Sequence, residues 1–539
     1  MPITSLTDLP SLIRATLGRG AGSDAASWAI LDLNGAYPTH HTNDLSTLLQ
    51  RTESFQAFTD RLDQLSRTES ISGVLVRVVE LTAGLATSAA IGWALGRLAR
   101  SKRVVVYLPQ VNMRSLLVAA EVSEVVAPES AEVMLSGFAA ERVYYGEFLT
   151  RRGIGFENLR IREYKSALNR FSDDHMDDHE REQLTTYLDS AERSWLGSVL
   201  PDANLDALLG ADFTNAQQLL DAGLITRIGW DDEIAVPVDQ DWTRSLELVR
   251  DQIAERRRAK KVPGVAVVPV VGAIVSGRSR PASGLFTGPT AGSETVVAAL
   301  RRAERDQLVK AIVLYVDSGG GSALASDVIS RAVARCTKPV VAVMGEVAAS
   351  GGYYVLAQAD HVVASPFTLT GSIGVLVGKP VLAELNERIG RNPETVGREL
   401  ALFASPNRPF SPAERVWAER MMNEVYARFV ARVAAGRSLT PERVDELGRG
   451  RLWSGADAHE RGLVDELGDL RSAIVAARRL AELPEDAPVR AVSGGRSLPG
   501  LPSFGKDPAQ GAVAALLASV WPFAEERVLT WFDSSVTVH

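Results

Sequence analysis

The sequence predicts an α/β protein made of two tandem copies of one unit, each followed by a helical extension. Three observations predict it. The chain repeats itself at an offset of about 236 residues: SGVLVRVVE (72–80) aligns with KAIVLYVDS (310–318), SKRVVV (101–106) with TKPVVA (337–342), EVSEVVAPES (121–130) with QADHVVASPF (358–367), and Arg162-Glu163 with Arg398-Glu399. Short Val/Ile-rich runs alternate with Ala-rich stretches of helical length. The Val/Ile runs are apolar at nearly every position, as in strands covered on both faces of a parallel sheet.

In chain order, the first copy carries strands over 74–79 and 104–108, a helix over 87–100 and an extension over 177–198. The stretch 241–261, DWTRSLELVRDQIAERRRAKK, reads as a linker helix with a basic end, most simply a solvated charged face. Gly264 to Val275 is very apolar, but Pro269 and the valines make it a buried strand, not a membrane span. The second copy carries strands over 312–316 and 340–344, helices over 294–306 and 323–335, and an extension over 411–436. Residues 276–293 are either a connection or a lid. The expected division is an N-terminal repeat over 1–240, a linker helix over 241–263, a C-terminal repeat over 264–483 and a tail over 484–539. Within the tail, 511–523 reads as a docking helix. The alternative is a helix on a membrane surface, with Trp521, Phe523, Trp531 and Phe532 at the interface.

A chain of 539 residues implies two to four domains, and 46% hydrophobic with 23% charged residues excludes disorder throughout. The net charge of −8 argues against nucleic acid as a partner. The lone Cys336 excludes an intrachain disulfide framework and any multi-cysteine metal site. Asp8, Pro10 and Arg14 interrupt the N-terminus where a secretory signal needs an apolar core, and no stretch is long enough to span a bilayer. The expectation is therefore a cytoplasmic or peripherally membrane-associated protein.

The chemistry concentrates in the second copy. VDSGGGS (316–322) follows a strand directly, and its glycines allow the backbone to approach a ligand. In GEVAASGGYYVLAQAD (345–360) a strand gives way to a helix, which places Ser350 at a helix N-terminus. Serine there is commonly only a cap. The alternative is a nucleophile: Gly351 and Gly352 permit a carbonyl to come close, the Gly351 N–H can face a developing oxyanion, and Gly320 or Gly321 can supply a second donor. Such a serine needs a base. Seven histidines are present, at 40, 41, 175, 179, 361, 459 and 539. His361 opens a strand-like run and reads as structural, so a Ser-His-Asp triad has no support in the pattern. Lysine is the other possibility.

The run DSGGGS…GEVAASGGYYV…SPFTLTGSIGV, together with Glu163-Tyr164-Lys165-Ser166-Ala167, resembles the signal peptide peptidase A family in its long, duplicated form. That resemblance implies a Clp-protease/crotonase-like fold and a serine endopeptidase with Ser350 as nucleophile and Lys165 as general base. Ser372, in TGSIG, becomes the candidate for orienting the lysine amine. The resemblance also implies extended, largely apolar peptide substrates such as released signal peptides, a homotetramer, and no metal or organic cofactor. The repeat agrees with a divided site: near the equivalent of Ser350 the first copy has Arg114, and near the equivalent of Lys165 the second has Ala401. Two residues depart from the family pattern, Gly319 in place of a proline and Asn169 in place of a glutamate. A family membrane anchor is not apparent. Val347, Leu376 and Val377 are candidate pocket residues. From a different class, a crotonase-type acyl-CoA enzyme would use the same glycine turns for a thioester carbonyl but leaves Ser350 without a role.

Overall fold

The computed structural model describes residues 27–38, 53–69, 71–211, 213–234, 261–280, 288–492, 529–531 and 537–538. The chain divides into two compact units, one of Met1–Gly137 with Ala191–Val262, the other of Phe138–Ser190 with Pro263–His539. The segment carrying Lys165 therefore belongs to the same compact unit as Ser350.

In the first unit, five strands form a parallel sheet in the order Ser27–Gly35, Ile71–Leu81, Arg103–Tyr107, Glu124–Ala127, Arg227–Ile228. The second unit repeats this order with Gly264–Val271, Val309–Ser318, Val340–Ala349, His361–Ala364 and Glu466–Leu467, again all parallel. The equivalent helices follow: Leu85–Ala99 corresponds to Ala323–Ala334, and Met113–Ala119 to Gly351–Leu356. Both units are thus the α/β arrangement expected of tandem repeats. The valines make these strands: β-branched side chains suit the pleated, packed surface, and Val265 to Val268 and Ile312 to Leu314 are fully buried. The extensions are helices Asp178–Val199 and Pro412–Arg437. The second starts on a capping box in which Ser411 Oγ accepts from Glu414 N and Glu414 Oε2 accepts from Ser411 N.

Two features of the second unit prepare the site. Strand Val340–Ala349 slips its register against Val309–Ser318 between Val316 and Ser318. Its first half pairs with His361–Ala364 and its last three residues pair with Leu369–Gly371. Ser350 follows directly on the last residue of this strand, Ala349. A second, six-stranded sheet has the order Thr290–Gly292, Ala273–Val275, Gly320–Ser322, Leu529–Trp531, Leu376–Val381, Gly155–Arg160. Strand Gly155–Arg160 has no sequence signal of its own; it pairs antiparallel with Leu376–Val381 from Arg160↔Leu376 to Gly155↔Val381.

The expected linker helix over 241–261, except its last residue, and the tail helix over 511–523, with Trp521, Phe523 and Phe532, lie outside the described residues. Within 276–293 the described residues form the Arg280↔Thr290 bridge and strand Thr290–Gly292, which leads into helix Ser293–Arg305. Among the described residues no helix is long and apolar enough to cross a membrane.

Candidate active site

Ser350 sits where a strand becomes a helix, and its backbone is unusual. Its φ is 56° and ψ −116°, outside the left-handed helical region and a conformation that residues other than glycine rarely adopt. The turn is held by Ser350 N donating to Gly371 O at 2.8 Å and by Tyr354 N donating to Ser350 O at 2.8 Å. Gly352 lets the turn close, because a Cβ there would lie 2.2 Å from Ser318 O. Ser350 makes no side-chain cap bond. The bland reading of this serine, a helix cap, is therefore not what the fold uses it for. Non-glycine residues held in such a conformation cluster at functional sites.

The hydroxyl of Ser350 faces an amine instead. Lys165 Nζ lies 2.6 Å from Ser350 Oγ, 2.9 Å from Ser372 Oγ and 3.0 Å from Ser372 O. Ser350 is 0%, Lys165 1% and Ser372 2% exposed. Burial alone pushes the Lys165 amine well below its usual 10.5. A neutral amine has two N–H donors and one lone pair. Those match the three contacts: two N–H groups for the two Ser372 oxygens, and the lone pair for the Ser350 O–H. Ser372, with φ 50°, is fixed by donating its N–H to Arg451 O at 2.6 Å.

The Lys165 segment arrives from strand Gly155–Arg160, and Ile161 N continues the ladder to Val375 O at 3.0 Å. Beyond it, helix Asp178–Val199 packs Leu184 and Tyr187 onto Ala349, Leu369 and Leu452, directly behind the Ser350 turn. Tyr187 Oη donates to Phe367 O at 3.0 Å, and the Ser190 and Ser454 hydroxyls are 2.7 Å apart. Gly450 lies against the lysine backbone, where a Cβ would come within 2.6 Å of Lys165 N. Asn169 ties the lysine segment to the helix that follows. Its Nδ2 donates to Asp177 Oδ2 at 3.0 Å, its Oδ1 accepts from Asn158 Nδ2 at 3.1 Å, and Asp177 Oδ1 in turn accepts from Glu180 N at the start of the helix.

The glycine turn differs from expectation in one respect. Gly320 donates its N–H to Ser318 Oγ at 3.0 Å, so it does not stand free as an oxyanion donor. Ser318 is in turn anchored on Gly272 O at 2.6 Å. Gly321 lies in the sheet between Ile274 and Thr530. Gly351 opens helix Gly351–Leu356, whose first N–H groups have no partner within the helix. His361 is engaged elsewhere, with Nε2 2.8 Å from Glu466 Oε2. The three candidate pocket residues part company: Leu376 faces Ala167, Leu168, Phe171 and Leu529, Val347 packs with the Leu184 cluster, and Val377 points into the main core.

A strand from near the end of the chain is built into the sheet beside these residues. Leu529–Trp531 pairs antiparallel with Gly320–Ser322 on one side and with Leu376 on the other, within 8 Å Cα–Cα of the helix that follows Ser350. Leu529 is buried.

With this geometry in place, comparison with known proteins is decisive about kinship. The model of peptidase family S49 matches residues 97–236 and 332–484, more than half of the chain. The chain belongs to peptidase family S49. Lys165 lies in the first matched stretch and Ser350 in the second. The chain is 32% identical over 435 residues to a protein of Arabidopsis thaliana named "Serine protease SPPA, chloroplastic", covering 75% of this chain and 62% of that one. It is 29% identical over 460 residues to "Protease 4" of Haemophilus influenzae, covering 80% and 72%. It is 32% identical over 381 residues to "Protease 4" of Salmonella typhi, covering 66% and 60%. The chain thus spans less than two thirds of the chloroplast relative's length.

Proposed function

We propose that the chain is a serine endopeptidase that works through a Ser350/Lys165 dyad. The observation that carries the reading is the 2.6 Å contact between Lys165 Nζ and Ser350 Oγ in a buried setting. At pH 7 an ordinary lysine is neutral in only roughly 4 of 10⁴ molecules. Desolvation of Lys165 raises that fraction, as a general base near neutrality requires.

Ser350 Oγ attacks the peptide carbonyl while its proton passes to the Lys165 amine. The oxyanion is met by the Gly351 N–H. The intermediate then collapses, the C–N bond breaks, and the Lys165 ammonium gives its proton to the leaving amine. Water, deprotonated by the same amine, hydrolyses the acyl-enzyme and restores Ser350. Ser372 keeps the lysine aimed. No metal or organic cofactor is required.

The substrate is an extended, apolar polypeptide such as a released signal peptide or an unfolded segment. Support comes from the family resemblance and from the sheet at Gly320–Ser322 and Leu376, which pairs with an extended segment of the chain whose Leu529 packs against apolar side chains. The assembled form is a homotetramer, which rests on the resemblance; a peripheral contact with a membrane surface rests on the apolar, aromatic composition of the tail over 511–532. A crotonase-type acyl-CoA reaction has no observation in its favour, since it leaves the serine–amine contact without a role.

Incubation of the full chain with an unfolded protein substrate tests the reading. Ser350→Ala and Lys165→Ala should each abolish cleavage while folding and oligomer size are retained. Continued turnover by either variant, or acyl-CoA turnover without proteolysis, would overturn it.

A further inference from the structure

We infer that Arg142 is a positioning residue for Lys165, acting through the backbone on which the base is carried. This rests on the dyad reading above and adds to it a residue that neither the repeat nor the motif singles out.

Lys165 stands on irregular backbone. Residues 161–168 belong to no helix or strand, and Arg162 has a φ of 107°. No ladder fixes the lysine, so something else must. Arg142 Nη2 donates to Ser166 O at 3.1 Å and to Ala167 O at 3.2 Å, the two carbonyls directly after Lys165. Arg142 is itself held by an ion pair with Glu180, and the two side chains are 2% and 1% exposed. Glu180 lies in the first turn of helix Asp178–Val199. One turn on, Gln183 Nε2 donates to Tyr164 O at 3.3 Å and Ser166 Oγ at 3.2 Å, and its Oε1 accepts from Leu452 N at 3.2 Å. The same helix thus grips the residues on both sides of Lys165, through Gln183 directly and through Glu180 by way of Arg142.

A planar guanidinium suits this position. It presents several N–H groups in a fixed fork, so one end can pair with a carboxylate while another spans two adjacent carbonyls. A lysine in its place would offer a point charge on a flexible stem. Burying an ion pair is seldom favourable for stability alone, because desolvation offsets the attraction. A role in geometry gives this pair a reason to exist behind the dyad.

The test compares wild type, Arg142→Lys, Arg142→Met and the double variant Arg142→Met/Glu180→Leu in the full chain, scoring kcat, KM and the pH profile of cleavage. Misplacement of the base by about 1 Å costs on the order of 10²-fold in rate. Arg142→Met should lose kcat on that scale with KM little changed, and the rising limb of its pH profile should move to higher pH as the amine regains water. Arg142→Lys should recover part of the loss. The double variant removes both charges and supplies the same readout if the single variant does not fold. A folded variant lacking Arg142 with wild-type kcat and an unmoved pH limb overturns the inference. If Lys165→Ala is inactive in the same assay, that result leaves the dyad intact; if Lys165→Ala is active, the dyad itself has failed.

Discussion

Asn112 and Ser350 occupy the same point in the two copies, the residue before the helix that follows the third strand of each parallel sheet, yet their backbones are opposed. Asn112 has φ −140° and accepts from Arg114 N and Ser115 N in a capping box; Ser350 has φ 56° and caps nothing. One copy keeps a capped helix start and the other an uncapped one with a positive φ. Loss of an N-cap costs about 1 kcal/mol. Asn112→Ala should therefore lower stability by about that amount and leave Ser350 chemistry in place, while Ser350→Ala should abolish cleavage at no cost in stability from a lost cap. Denaturant titration alongside the cleavage assay measures both.

The pH dependence follows from Lys165. Desolvation holds its amine well below 10.5 in the folded state. Activity should rise with pH through the folded-state pKa, as the neutral base forms. Stability has the same sign. Between the folded value and 10.5 the unfolded chain binds more protons than the folded one, so stability increases with pH there. The penalty is full below the folded value and absent above 10.5. Lys165→Met should consequently gain most relative to wild type at neutral pH and progressively less toward pH 10.5, by thermal denaturation. Lys379, on strand Leu376–Val381, is pushed down to about 8 by burial. Lys379→Met serves as the control and should leave the activity limb where it is.

Gly450 is the closest neighbour of the lysine backbone that a point substitution can enlarge. Its φ is 85°, and an added Cβ would meet Lys165 N, Cα and Cβ at 2.6 to 2.7 Å. Gly450→Ala should displace the base and lower kcat on the order of 10²-fold, with about 1–3 kcal/mol lost from stability. Steady-state kinetics with a denaturant midpoint distinguishes displacement of the base from global unfolding.

Much of this is legible in the chain. The valine runs mark the strands and the alanine-rich stretches the helices, because those patterns reflect side chains packing against each other along one element. The helix expected over 323–335 is Ala323–Ala334, and the extension expected over 411–436 is Pro412–Arg437. Motifs single out Ser350, Lys165 and Ser372, and the fold brings their polar atoms together. What is not legible depends on partners distant in sequence. Gly155–Arg160 is half-buried along its whole length and includes Glu157, Asn158 and Arg160, so it carries no alternation, and its strand character comes from Leu376–Val381. Arg142 and Glu180 read as surface charges until their burial is known. The Gly320 N–H looks free in the sequence because nothing in DSGGGS says that Ser318 turns back onto it.

Leu529 packs with Ala167, Leu168, Phe171 and Leu376, and on the proposed reading an extended substrate would pair where strand Leu529–Trp531 now lies. If the resident strand occupies that place about 90% of the time, apparent affinity is reduced roughly 10-fold. Leu529→Asp places a carboxylate among those apolar side chains and should free that place. The expected result is a KM for unfolded substrate lower by roughly 3- to 10-fold with kcat unchanged. An unaltered KM would mean the strand does not compete.

The central claim is that an uncharged Lys165 activates Ser350. The most direct measurement is the rate at which a fluorophosphonate labels Ser350 across the pH range, in wild type and in Lys165→Ala. The account predicts a labelling rate in wild type that rises through a pKa below 10.5, and in Lys165→Ala a rate lower by on the order of 10²-fold or more with that rise gone. Equal labelling rates in the two proteins at neutral pH would contradict it.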